Sequence, residues 1–481
     1  MTPRPEATKW ITQRVAPCGK RTRFPFHGSQ LPSRRVNCTV FDIELLNNIR
    51  GFRQQRIQLM VKNCELDIVL TYKYLGVWLD RTLRWGKHIN EIVEKVQKLI
   101  NVLKILTGSS WGIHQIHLRR LYIALVRSRL DYGCFLYDSS ADSNTSKLVK
   151  VQNQALRVVG GFIRSTPIHV MECELCVPPL HLRRRWLAVK YCLKSRSLSD
   201  NVTIKLLSEL SALRHNRYWA NKKLPLLVRV FEEVKEECMN SSPILEMFSL
   251  DTWVSNINTQ NVIKIELDSI KKPKKTYEYN LIKTETVKEL REKYNDYYSI
   301  YTDGSKSSKG NGAAYYDPLK PENNSNSCFK VINDASVMSL ELFAISEALI
   351  YVQNNNKEKA VIFVDSKSAL QHIARCASDC RGASIAYGIL AKIQNLNNNG
   401  YDLRLQWVPS HIGLHGNEEA DRLAKLGIDE GKEVNIGTYY VELLPKYKRK
   451  CYELWREYFD ERSKDKGIWY RSMVSEPPHI P

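Results

Sequence analysis

The run Ala360-Val361-Ile362-Phe363-Val364 contains no polar residue and stops at Asp365. Most of its residues are β-branched or aromatic, which suits a strand covered on both faces. Such strands lie inside α/β sheets with helices above and below. The neighbouring sequence supplies the partners. Residues 299–302, 312–316 and 328–332 read as strands separated by Asn/Pro/Ser turns, and 403–408 as a fifth. Residues 340–352 have helical spacing. Ser366 is a natural N-cap for a helix to about Cys376, a further helix covers about 383–396, and Asn417 is placed to cap a last helix ending near Gly427. The expectation is an α/β fold over residues 297–430, with a mixed five-stranded sheet and flanking helices.

Upstream the pattern changes. Residues 1–56 scatter Pro, Arg and Ser without period, and a poorly ordered start is expected. Residues 57–61, 66–70 and 74–79 read as strands. Ile89, Ile92, Val93, Val96, Leu99, Ile100, Leu103 and Leu106 then line one face of a helix that ends at Thr107-Gly108-Ser109-Ser110. Helices follow at about 116–129, 146–159 and 180–193, closing a mostly helical region at about 195. Residues 196–296 read as a connection in which helical stretches (204–213, 228–238) alternate with polar segments. Within it, Lys271-Lys272-Pro273-Lys274-Lys275 suits a solvated linker or a basic nuclear signal. Residues 431–481 read as a tail.

Charge divides along the same lines. Of the formal net charge of +21 over 481 residues, residues 1–200 carry +19, from 33 Lys+Arg against 14 Asp+Glu, and residues 301–481 carry zero, from 23 against 23. A field of that sign attracts polyanions, so nucleic acid is the partner expected for the basic N-terminal region. No apolar run is long enough to span a bilayer, and no partnership with a membrane is expected. The first 20 residues lack a secretory pattern. With that, twelve cysteines suggest free thiols in a reducing, intracellular compartment, nucleus or cytoplasm.

Four acids stand out. Asp303 and Asp365 each follow a strand, Glu341 falls in the first turn of a helix, and Asp421 in the first turns of the last helix. If they converge at one end of the sheet, their mutual repulsion calls for hard divalent cations, which prefer oxygen ligands. Each acid also has an ordinary reading. Asp303 before Gly-Ser suits a turn, Asp365 suits a helix N-terminus, Glu341 and Glu347 suit a helix surface, and Asp421 continues an acidic turn begun by Glu418 and Glu419. Composition and periodicity leave both readings open.

The local strings go further. Tyr301-Thr302-Asp303-Gly304-Ser305, Ser339-Leu340-Glu341-Leu342-Phe343-Ala344-Ile345 and Phe363-Val364-Asp365-Ser366-Lys367-Ser368-Ala369-Leu370 resemble, in order and spacing, the ribonuclease H family. So does the segment from Trp407-Val408-Pro409-Ser410-His411 through Gly416-Asn417-Glu418-Glu419-Ala420-Asp421. The resemblance implies a ribonuclease H-like sheet and an endonuclease that cuts the RNA strand of an RNA–DNA hybrid. Asp303, Glu341, Asp365 and Asp421 would hold two Mg²⁺ ions, with Mn²⁺ as a substitute. One ion would activate water and the other stabilise the leaving oxygen. It further implies a proton-transfer or product-release role for His411, with His415 as the neighbouring alternative, on a loop that Gly413 and Gly416 leave mobile. Gly304, Ser305 and Asn417 are the implied contacts to substrate. Some relatives carry a basic extra helix before the last strand. Here residues 381–399 hold only Arg381 and Lys392 as charges, so the basic N-terminal region is the expected grip on substrate.

A second resemblance covers about residues 57–195. Lys73-Tyr74-Leu75-Gly76-Val77-Trp78-Leu79-Asp80, Arg127-Ser128-Arg129-Leu130-Asp131-Tyr132-Gly133, Gln152-Asn153-Gln154-Ala155-Leu156-Arg157 and Pro179-Leu180-His181-Leu182-Arg183-Arg184 look like the palm end and helical thumb of non-LTR retrotransposon reverse transcriptases. No Asp-Asp pair occurs in the chain, so DNA synthesis is not expected. Tyr74, Trp78, Trp85 and Trp111 suit core packing or base stacking. His169, Cys173, Cys176 and His181 have a spacing that a structural zinc site also uses. Together these readings describe a fragment of a retrotransposon polyprotein with an active ribonuclease H domain. The competing readings are a catalytically inactive nucleic-acid-binding remnant, or an accessory chain for a complete polymerase.

Overall fold

The computed structural model describes residues 60–61, 64–65, 69–108, 111–198, 201–219, 223–239, 244, 259–271, 277–320, 327–379 and 382–478. The start expected to be poorly ordered and most of the basic linker at 271–275 lie outside these residues, as do 57–59 and 66–68 of the expected strands.

The basic region opens with two small hairpins, β1 (Met60–Val61) with β2 (Cys64–Glu65) and β3 (Thr71–Tyr74) with β4 (Val77–Asp80). The single strand expected at 74–79 is therefore broken. Leu75 and Gly76 take φ of 46° and 85°, the left-handed pair that a two-residue hairpin turn requires. Helix α1 (Gly86–Ile105) buries the expected stripe, including Ile89, Val96, Ile100 and Leu103, against Leu148, Ala155 and Leu156 of α5 (Asp142–Gly160).

Between them, the helix expected at 116–129 is α2 (Gln115–Leu121), a π-helical turn (Tyr122–Arg127) and α3 (Ser128–Asp131), followed by α4 (Cys134–Tyr137). A π turn widens the helix and turns extra side chains inward. Here it lets Arg127 donate to Gln152 Oε1 (2.9 Å) and Tyr122 Oη (3.3 Å) from one nitrogen and to the Pro178 carbonyl (3.0 Å) from another.

The helices α6 (Ile168–Glu174), α7 (Leu180–Arg196), α8 (Val202–Ala212) and α9 (Leu226–Met239) complete this region. Residues expected as a tail belong to it. Helix α16 (Tyr440–Asp465) returns to pack on α7 and α6, with Trp455 and Phe459 fully buried and Tyr447 in the core shared by α7 and α9. A short α17 (Ile468–Met473) follows. The four possible zinc ligands do not gather among the described residues. Instead His169 packs edge-on to Phe459 and His181 to Tyr458. Trp85 is a core residue, and Lys87 Nζ sits 3.7 Å from the centre of the Trp78 ring.

The second half forms one sheet in the order β11-β8-β7-β6-β9-β10-β5. The five expected strands are its centre: β6 (Tyr298–Lys306), β7 (Asn311–Tyr316), β8 (Cys328–Val331), β9 (Lys359–Val364) and β10 (Asp402–Trp407). β6, β7 and β8 run antiparallel, whereas β6, β9 and β10 run parallel. Two short parallel strands extend it to seven. These are β5 (Ile263–Lys264) from the connection, which α10 (Thr259–Val262) leads into, and β11 (Lys432–Val434) from the tail.

The apolar run of β9 is covered on both sides, as its composition predicts. Ala360, Ile362 and Val364 pack in the core formed with α12 (Val337–Asn354), α13 (Lys367–Asp379) and α14 (Ser384–Asn398). Val361 and Phe363, on the alternate face, pack with α11 (Tyr279–Tyr294). The last helix, α15 (His415–Glu430), crosses β6, β7 and β8. It comes close because Gly312 lies under it, where a Cβ would fall 2.0 Å from the Ala424 carbonyl oxygen. Cys134, Cys173, Cys176, Cys192, Cys328, Cys376 and Cys451 are free thiols. No described helix is long and apolar enough to cross a membrane.

Candidate active site

Asp303 lies within β6 rather than after it, because the strand continues through Gly304-Ser305 in register with Gly312 and Ala313. Gly304 is buried beneath α12, and a Cβ on it would lie 2.6 Å from the Glu341 amide nitrogen. That close approach brings Glu341 over Asp303. Glu341 sits in the second turn of α12, not the first, since the helix begins one residue after Ser336, whose hydroxyl accepts from the Ser339 amide (3.2 Å). Asp365 follows directly on β9, as expected. One carboxylate oxygen from each of these three residues lies within 4.8 Å of the others.

The cluster is electrostatically unsatisfied. Asp303 and Glu341 are only 7% and 5% exposed, and Glu341 Oε2 is buried without a hydrogen-bond partner. Burial first, then the charges of Asp365 and Asp421, push the Asp303 carboxyl up to about 7. Burial first, then the charges of Asp303 and Asp365, raise Glu341 well above the ordinary range. Burial also raises Asp365, but the Asn417 amide donates to its Oδ2 (3.2 Å) and His411 lies close enough to pull it back.

Asp421 belongs to an adjoining group, in which its carboxylate, His411 and Glu418 offer atoms within 4.8 Å of one another. Lys425 Nζ bonds to Asp421 Oδ2 at 2.6 Å. The four expected acids are thus arranged as three plus one, with the Asp421 charge felt at Asp303 and Asp365. Glu418 was not expected in the site. Its spacing of three residues before Asp421 puts both on one helix face, which is the signal that could have found it. It also accepts from the Gly413 amide (3.2 Å). His411 is the histidine brought to the acids. His415 begins α15 and packs edge-on to Tyr316.

Two further expectations change. Asn417 does not cap the last helix, which starts at His415 with Leu414 as its cap. It is the third residue of the helix, buried, with its amide on Asp365 and its Oδ1 unpartnered. Gly416 lends the loop no mobility. It is helical and packed against β6, where a Cβ would fall 2.2 Å from the Tyr301 ring. Gly413, with φ of 73°, does make a turn. Ser305 is half-buried on β6, one residue beyond Gly304.

Residues 295–429 match the model of the RNase H family, and that stretch contains all of these acids. It is a ribonuclease H domain. Ribonuclease H1 of Mus musculus is 26% identical over 148 residues, which cover 28% of this chain and 51% of that protein. The RNA-directed DNA polymerase from mobile element jockey of Drosophila funebris is 29% identical over 123 residues, covering 25% of this chain and 13% of that one. The probable RNA-directed DNA polymerase from transposon X-element of Drosophila melanogaster is 28% identical over 100 residues, covering 20% and 11%. The chain therefore spans about half of the mouse ribonuclease H1 and only about a tenth of these polymerases.

Proposed function

We propose that the ribonuclease H domain of this retroelement-type protein hydrolyses the RNA strand of an RNA–DNA hybrid with divalent metal ions. The observation that carries this is the Asp303–Glu341–Asp365 cluster. Two buried acids and the half-buried Asp365 share a space of 4.8 Å, and one of their oxygens has no partner. Left alone, such a cluster holds protons it would not hold in water. An all-oxygen donor set of this kind fits a hard cation, Mg²⁺ or equally Mn²⁺. Asp303, Glu341, Asp365 and Asp421 are the residues that would hold two ions. Bound there, the ions supply the positive charge that lowers the pKa of water and offsets charge developing on a phosphodiester.

The chain's own groups divide the remaining work. Asn417 fixes the Asp365 carboxylate by hydrogen bonding, which favours its ionised form. His411, exposed beside Asp421, offers a ring nitrogen at which a proton can be passed. The backbone of Gly304 and Ser305 and the amide of Asn417 border the cluster and are the proposed contacts to the 2′-hydroxyls that distinguish RNA from DNA. The net charge of zero over 301–481 against +19 over 1–200 makes the basic region the grip on phosphates.

The test is cleavage of an end-labelled RNA–DNA hybrid by the full chain in Mg²⁺, compared with Asp365→Asn. Equal rates for the two proteins would reject hydrolysis and leave a nucleic-acid-binding remnant.

A further inference from the structure

The match to the ribonuclease H family begins at residue 295, yet the chain builds onto this domain from further upstream. Strand β5 pairs with β10 at the sheet edge, Ile263 opposite Leu405 and Lys264 opposite Gln406. Helix α11 lies on the sheet face formed by Val361 and Phe363, burying Ile282, Leu290 and Tyr294. Two anchors hold it there. The Tyr294 hydroxyl donates to Gln406 Oε1 on β10 (2.8 Å). Glu289 accepts from the amides of Asp268 (2.8 Å) and Ser269 (2.9 Å) and from Lys293 Nζ (2.6 Å), which ties α11 to the turn after β5.

The loop that bears His411 rests on this helix. Ile412 is fully buried and Leu414 nearly so, and both belong to the same apolar cluster as Ile282 and Leu290. Between them, a methyl built on Gly413 would lie 2.9 Å from the Tyr279 hydroxyl and 3.1 Å from Lys283 Nζ. His411 itself has φ of 51°. A residue with a Cβ keeps that left-handed conformation only where its surroundings over-determine it. The surroundings here are two buried neighbours and the first turns of α11.

We propose that α11, outside the family match, is a working part of the catalytic unit, and that Ile282 and Tyr279 are positioning residues that hold His411 at the acids through Ile412, Gly413 and Leu414. The proposal rests on the nuclease reading above for its effect on rate, though not for its effect on the loop. Asp303 and Glu341 sit on β6 and α12, and Asp365 directly after β9, so loosening the loop leaves the carboxylate cluster in place. The loss falls on kcat and not on KM.

The experiment uses the full chain with Ile282→Ala and, because that change opens a core cavity, Tyr279→Ala at an exposed position as a second variant. Hydrogen exchange is expected to speed up at the amides of residues 410–416 while those of β9 stay unchanged. On hybrid substrate kcat is expected to fall about tenfold with KM within about twofold, the scale that misplacing a catalytic group produces. In a His411→Ala background the same changes should alter kcat by less than about twofold, since both act through one group. Unchanged loop exchange in both variants, or fully additive losses in the double variants, would overturn the proposal. If wild type cleaves no hybrid, the nuclease reading fails by itself, and the exchange data still decide whether α11 holds the loop.

Discussion

The side-chain amide of Asn417 reaches 3.2 Å across from the last helix to Oδ2 of Asp365. That hydrogen bond opposes the burial that raises the carboxyl. Asn417→Ala should therefore lower kcat for hybrid cleavage about tenfold, the size of a lost hydrogen bond to a charged group. Asn417→Asp should cost more, because it adds a like charge beside Asp365. Steady-state rates in Mg²⁺ check both, and an Asp variant as active as wild type would contradict this account.

Gly416 faces the Tyr301 ring at a distance no Cβ tolerates. Gly416→Ala is expected to push α15 away from β6 and to cost roughly 1–3 kcal/mol of stability, as overpacking does. Urea denaturation measures the loss. A variant with an unchanged midpoint would show that the helix can shift freely.

Acid–base behaviour provides an independent check in the helical region. Glu172 is buried in α6, with Oε2 unpartnered, and burial pushes it up to about 8 despite Arg127 and Arg462 nearby. The folded protein therefore holds a proton that the unfolded chain releases near 4.5. Stability from this group is complete below about 4.5 and is lost as pH rises from there through about 8. Glu172→Gln, which needs no proton, should match wild type at pH 4.5 and melt higher at pH 8. Parallel Tm-versus-pH curves for the two proteins would refute the assignment.

Metal should stabilise the fold through the carboxylates. Mg²⁺ at a hundred times its Kd would add about 2.7 kcal/mol by mass action. The rise in Tm on adding Mg²⁺ at pH 7.5 is expected for wild type and is expected to vanish in Asp303→Asn. An equal rise in both proteins would place the ion elsewhere.

Much of this architecture was legible because burial writes itself into composition. The unbroken run 360–364 announced a two-faced strand, and the three-four spacing of α1 announced its buried stripe. The four acids were legible through local strings, not through periodicity, since an isolated Asp or Glu has an ordinary surface reading at every one of those positions. Features that depend on distant contacts were not legible. Nothing local in Ile263-Lys264 shows that it completes a sheet edge against Leu405 and Gln406. Nor does the sequence around Asn417 reveal whether its amide caps its own helix or reaches a strand 52 residues away. The turn at Leu75-Gly76 was missed because the flanking residues alternate well enough to continue a strand.

The return of α16 onto α7 has a consequence for how the polypeptide is made. Glu233 of α9 pairs with Arg185 of α7 and also with Lys450 of α16, and Trp455 and Phe459 of α16 are fully buried. During synthesis the helical half therefore waits, with a greasy slot open, until more than two hundred later residues have left the ribosome. A stop codon between residues 431 and 440 would spare every acid of the carboxylate cluster and still yield a sticky, aggregation-prone product.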